Sequence, residues 1–163
     1  MPAIINSTST GIGGLVSTGD IDNELVIQTG DTTAINIDAS QNVSLLDNVI
    51  NRPVLEDYAI QGVAIGNTGA TRTLDLESGN FFSATLDQNC TFTFSNPAGS
   101  GDFCGFALSL TNGGAFTITW PASVDWSGGT APILTSSGLD MLVFVTYDGG
   151  TTWLGFVSGL DLQ

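Results

Sequence analysis

Asp75 and Glu77, in the string "DLE", stand two residues apart and so share one face of a strand that carries them. Paired carboxylates at a fixed separation are what glycoside hydrolysis uses, one as acid and the other as base or nucleophile. Outward polar residues on an ordinary strand show the same spacing, and that plainer reading is the expected one. Glu56, Asp57 and Asp87 are further acids without a defined partner. Histidine is absent, which removes an imidazole base, a Ser-His-Asp triad and His-ligated zinc or haem. The string "GDIDNE", with Asp20, Asp22, Asn23 and Glu24, lacks the Gly and the distant Glu of a twelve-residue calcium loop and reads as a solvated acidic turn. No catalytic residue, cofactor or metal ligand is expected.

Trp120, Trp126 and Trp153 have the rings to stack on sugars. Trp120 and Trp153 adjoin strands of alternating apolar residues and are expected in a core or an interface. Trp126 lies in "SVDWSGG" beside Asp125, in a loop fixed by Pro121 and Pro132. Trp126 and Asp125 are the candidate contacts for a glycan or a partner, against the alternative that the proline-fixed loop folds the Trp126 ring inward. Cys90 and Cys104 fall in neighbouring strand-like segments and are expected as two buried free thiols, because one pair without a secretory signal argues weakly for an oxidising compartment.

The composition sets limits on what these residues serve. A chain of 163 residues has room for one domain with a sizeable core, or for a smaller domain plus an extended arm. Only 11% of the residues are charged, and the 16 acids against two arginines, Arg52 and Arg72, give a net charge of −14. Phosphate binding needs clustered Lys or Arg, so nucleic acid is not an expected partner. The opening "MPAIINSTST" has neither a basic nor an apolar leader region, and no apolar run approaches 18 residues. Synthesis in a cytoplasm without membrane insertion is the expectation.

The elements that must position these residues read as β throughout. Residues 1–50 form an extended arm in which "ELVIQT", "TTAINID" and "VSLL" alternate with turns. Leu25, Ile27, Ile35, Ile37, Val43 and Leu45 are its candidate assembly positions, since strands this short bury too little alone and need association. Residues 51–66 form a linker in which "PVLEDYAIQ", with Pro53 at the first position, suits a short helix. Residues 67–163 carry "RTLDLE", "NFFSATL", "CTFTF", "FCGFALSL", "AFTITW", "DMLVFVTY" and "TTWLGFVS", separated by Gly, Asn and Asp clusters. Regular strand spacing of this kind predicts an all-β chain with an antiparallel, jelly-roll-like β-sandwich as its C-terminal knob. Asn112-Gly113 and Asp148-Gly149 are the expected hairpin turns. The apolar run "LVFVTY" suits a strand buried on both faces or packed on a neighbouring subunit.

The segments "RPVLEDYA", "TLDLESGNFFSATLDQNCTFTFSNP", "LTNGGAFTITWPASVDWSGGTAPILTSSGLDML" and "YDGGTTWLGFVSG" together resemble a β module of tailed-bacteriophage virion proteins. The likeness is to the C-terminal part of tail fibres and structural proteins from phages of cyanobacteria and other aquatic bacteria. The arm, with "TGDTTAINIDASQNVSL", resembles a second recurrent phage-fibre segment, and "WPASVDWSGGTAP" followed by "DGGTTW" is the most specific string. The resemblance implies a non-enzymatic structural protein on the virion surface, commonly homotrimeric. The first reading within that class is a capsid decoration protein of the cement or head-fibre kind, whose arm grips the major capsid protein or another virion protein, since 163 residues leave little room for the attachment domain, shaft and tip of a tail fibre. Its competitor is a short tail fibre whose knob binds a host surface glycan. A depolymerase is a third reading with no sequence support.

Overall fold

The computed structural model describes residues 25–29, 32–40, 42–45, 50, 53–54 and 56–163, with side chains from Ile35 onward. The chain divides into two compact units, Met1–Glu56 and Asp57–Gln163. In the first, β1 (Leu25–Thr29), β2 (Thr32–Ile37) and β3 (Val43–Ser44) form an antiparallel sheet in that order. Ile27 stands opposite Ile35, and Ile37 opposite Val43. The turn into β3 is built by Asp38, whose Oδ1 accepts the Ser40 and Asn42 amides at 2.8 and 2.9 Å while Oδ2 accepts Asn42 Nδ2 at 2.9 Å. An aspartate that satisfies the amides following it in this way replaces backbone pairing and fixes the reversal. Val43 remains 62% exposed.

Around the start of the second unit the expected short helix is not seen among the described residues. Pro53, Val54 and Glu56–Gln61 are non-helical, and Asp57 has φ of 55°. A β-strand then starts at Gly62, inside the stretch read as linker.

The second unit contains β4 (Gly62–Asn67), β5 (Thr71–Asp75), β6 (Phe81–Thr85), β7 (Cys90–Ser95), β8 (Ser100–Thr111), β9 (Ile118–Thr119), β10 (Val124–Trp126), β11 (Leu139–Asp148) and β12 (Trp153–Leu162). Six strands form one sheet in the order β10-β12-β11-β8-β6-β4, and three form another, β5-β7-β9. The all-β class stands, whereas the antiparallel pairing expected of a jelly roll does not. From β4 to β9 the chain alternates between the sheets, and each strand pairs in parallel with the strand two places on. Parallel neighbours need a long crossover, and here a strand of the opposite sheet supplies it in place of a helix. Within this unit only β8, β11 and β12 pair antiparallel, and β10 joins β12 in parallel at the sheet edge.

Winding puts like positions into columns. Val63, Phe82 and Leu108 are partners across β4, β6 and β8, as are Leu74 and Phe94 across β5 and β7. These columns point between the sheets and form one core with Leu110, Leu142, Phe144 and Trp153. Phe94 joins the two layers, its ring 4.9 Å from Phe106, 5.0 Å from Phe144 and 5.3 Å from Trp153. Edge-on aromatic contacts at such distances add to the area term.

The two outer surfaces differ in kind. On the three-stranded sheet Thr71, Thr91 and Thr119 align, and Thr73 and Thr93 align beside them with their hydroxyls 2.7 Å apart. On the six-stranded sheet the outward residues of β11 are Leu139, Met141, Val143, Val145 and Tyr147, alternating with the inward Asp140, Leu142, Phe144 and Thr146.

Two expected turns have different outcomes. Asp148-Gly149 does begin the β11–β12 hairpin, with the positive φ values at Gly149 and Gly150. Asn112-Gly113 follows β8 with Asn112 at φ 61°, but it leads across to β9 in the other sheet and closes no hairpin.

Candidate functional site

Trp126 ends β10, a strand of three residues held parallel to β12 by the register Val124 with Trp153 and Trp126 with Gly155. Its indole turns inward, with ring centroids 5.5 Å from both Trp120 and Phe144. Glycine at 155 is required for this seat, since a Cβ there would come within 2.8 Å of the indole carbons. A glycine inside a strand commonly marks such a close approach. The "LGF" of "TTWLGFVS" is the sequence signal for it.

Trp126 stays half-buried and lines a hollow of about 380 Å³ with Ser127, Thr130, Pro132, Phe156 and Val157. Asp125 is exposed and stands opposite Leu154, so strand alternation directs it away from Trp126. The two candidate contact residues therefore do not converge on one ligand. Residues of the hollow that sequence reading passed over, Phe156 and Val157 above all, come from β12 and reach Trp126 only through the parallel pairing.

The other tryptophans are packing residues. Trp120 stacks on Phe92 at 5.2 Å and 15°, and Trp153 is buried.

The carboxylate pair dissolves on inspection. β5 ends at Asp75, and Glu77 lies in the following turn, so the two do not share a strand face. Asp75 Oδ1 accepts the Glu77 amide at 3.1 Å and Asn96 Nδ2 at 2.8 Å, which makes it the anchor of that turn. Asp87 Oδ1 likewise accepts the Gly69 amide at 2.9 Å and the Thr68 hydroxyl at 3.3 Å. Glu56 and Asp57 are exposed ahead of β4. Among the described residues no group of three or more His, Cys, Asp or Glu side chains is placed to hold a metal. Asp20, Asp22, Asn23 and Glu24 lie outside the described residues.

Of the arm positions, Ile35, Ile37 and Leu45 are half-buried and Val43 is exposed, while the side chains of Leu25 and Ile27 lie outside the described set. Cys90 and Cys104 are both free, Cys90 buried and Cys104 half-buried. Burial raises the Cys90 thiol above its ordinary value, against the opposing pull of Thr68 and Arg72. Arg72 donates from Nε to the Thr68 carbonyl at 3.2 Å and from a terminal nitrogen to that of Asn67 at 3.1 Å. Its charge therefore serves a turn. Among the described residues no helix is long and apolar enough to cross a membrane.

Set against known protein families and curated proteins, the chain matches none.

Proposed function

We propose that this chain is a non-enzymatic structural protein of a tailed-bacteriophage virion. It is a homotrimeric capsid decoration protein, of the cement or head-fibre kind, displayed on the virion surface and held there by its N-terminal arm. The observation that carries this reading is the pairing of two unlike units: a slight three-stranded arm and a β knob with its own core. Three short strands with Val43 outside bury too little to stand alone in water, and association with copies or with the major capsid protein supplies what is missing. An exposed arm strand can also extend a sheet of another virion protein. In this reading the knob is a two-layer β-sandwich of wound design. Asp75 and Asp87 serve turns and not a catalytic groove, which supports a structural role over a depolymerase.

A second reading, a short tail fibre binding a host surface glycan, is favoured by one feature, the apolar hollow beside Trp126. Copy number on intact particles separates the two. A decoration protein follows the capsid lattice at hundreds of copies, and a fibre occurs in a small multiple of the tail symmetry. Deleting residues 1–50 is expected to abolish particle binding and leave the knob folded; a truncated chain that still decorates particles removes the arm from the proposal.

A further inference from the structure

We infer that the outer face of the six-stranded sheet is the surface on which copies of this chain close against each other, an assignment that rests on the homo-oligomeric reading above. The face is continuous across five strands. Val143 stands between Ala107 of β8 and Phe156 of β12, and Val145 between Gly105 and Leu154. Beyond Ala107 the row continues through Phe81 of β6 to Gly62 of β4. Large apolar side chains stand open on it, with Phe103 at 74% exposure, Tyr147 at 59% and Phe156 at 50%.

Charge identifies the occupant. Strand alternation turns Asp140 and Asp148 off this face, and among the described residues no acid or base stands on the β4, β6 and β11 part of it; Asp125 of β10, opposite Leu154, marks its charged edge. A foreign partner steered to an acidic protein brings cations, and they find nothing here to pair with. Further copies bring equally uncharged faces, and faces turned toward a common symmetry axis meet without repulsion or stranded charge.

The size fits. Strands of 10, 10, 12, 5 and 6 residues, at about 3.3 Å per residue and about 4.8 Å between neighbours, make a plane of roughly 700 Å². That is of the order of the ~800 Å² each partner contributes to a stable interface.

The test is the solution mass by light scattering of the full chain and two double variants. Val143→Lys with Val145→Lys puts charge at the centre of the face, and Thr91→Lys with Thr93→Lys puts the same charge on the opposite sheet. The wild type and the threonine variant are expected to be oligomers of equal mass. The valine variant is expected to fall to one chain's mass, a threefold drop from a trimer, with an unchanged far-ultraviolet spectrum. Phe103→Glu with Tyr147→Glu, at open positions off the core, is expected to do the same and serves if the valine variant does not fold.

A face variant that folds and keeps the wild-type mass overturns the assignment, as does a monomeric wild type, which hands the face to another occupant. Copy number on particles reads independently of these masses. An oligomer closed by this face but absent from virions sinks the virion reading alone.

Discussion

The wound strands β4 to β9 and the antiparallel strands β8, β11 and β12 hold one core by different means. In the winding, each strand's partner lies far along the chain, Thr71 opposite Thr91 and Phe81 opposite Ala107. No tight turn sets that register. It is set by what the columns bury, Val63 on Phe82 on Leu108 and Leu74 on Phe94. In the antiparallel part the register starts from a turn with its own chemistry. The buried Thr146 hydroxyl donates to Asp148 Oδ1 at 2.9 Å and accepts the Gly150 amide at 3.1 Å, while Asp148 Oδ1 takes the Thr152 amide at 2.9 Å. The far end of β12 is tied by the buried Asp140, whose carboxylate accepts the Thr135 and Asp161 amides at 2.7 and 3.1 Å. The winding thus takes its register from buried columns, with Asp75–Asn96 and Asp87–Gly69 bonds bridging successive laps, while the hairpin adds to its buried residues a turn with local hydrogen bonds. Core truncations are expected to tell most on the first, and loss of polar groups on the second.

The sharpest way to break this contrast is Phe92→Ala. Phe92 is fully buried in β7 and stacked on Trp120, and its loss is expected to cost about 3–5 kcal/mol. Urea unfolding followed by tryptophan fluorescence should show a single transition at a much lower midpoint. A two-step curve, with the hairpin surviving the winding, would mean that the core is not shared.

Gly155→Val tests the junction where β10 meets β12. The side chain drives into the Trp126 indole, at an expected cost of about 1–3 kcal/mol, read as a lower melting temperature with a red-shifted tryptophan emission.

Thr146→Val probes the hairpin alone. It leaves the Gly150 amide without its acceptor, and ~1–2 kcal/mol is expected. A loss as large as that of Phe92→Ala would erase the distinction between the two halves.

The smallest effect is acid sensitivity of the turns. The Thr152 amide holds the Asp148 carboxyl below its ordinary 3.8, and the Asn42 side chain does the same for Asp38 in the arm. A carboxyl lowered in the folded state contributes fully above its unfolded value, and the contribution is lost as pH falls through the folded one. Stability should therefore decline from about pH 4 downward, and Asp148→Asn should flatten part of that decline in acid titrations followed by circular dichroism.

The same contrast explains what could be read from the residues. Strands such as "CTFTF" and "DMLVFVTY" were legible because alternation is local, and the Asp148-Gly149 hairpin because its turn chemistry is local. Asn112-Gly113 carries the same dipeptide signal, yet its chain crosses to the other sheet, and nothing within a few residues separates the two cases. Parallel pairing was hidden for the same reason, since it depends on columns some 20 residues apart. Gly62–Asn67 was missed because its glycines and small residues resemble a linker, and Val124–Trp126 because three residues in a proline-flanked loop carry no period. At the candidate site the residue type of Trp126 was readable. The flanking prolines suggest that its ring folds inward, but the seat at Gly155 comes only with the β10–β12 pairing.

The winding also bears on how such a chain can change length. Because Arg72 lies opposite Phe92 just as Thr71 lies opposite Thr91, removing residues 72–91 would splice β5 onto β7 without turning a single side chain over. The register that sets Phe82 between Val63 and Leu108 would then let β4 close directly on β8. A cut one residue shorter or longer would reverse inside and outside for everything that follows in the strand. A change of length by a whole lap therefore keeps inside and outside in step, and a change that breaks the lap does not.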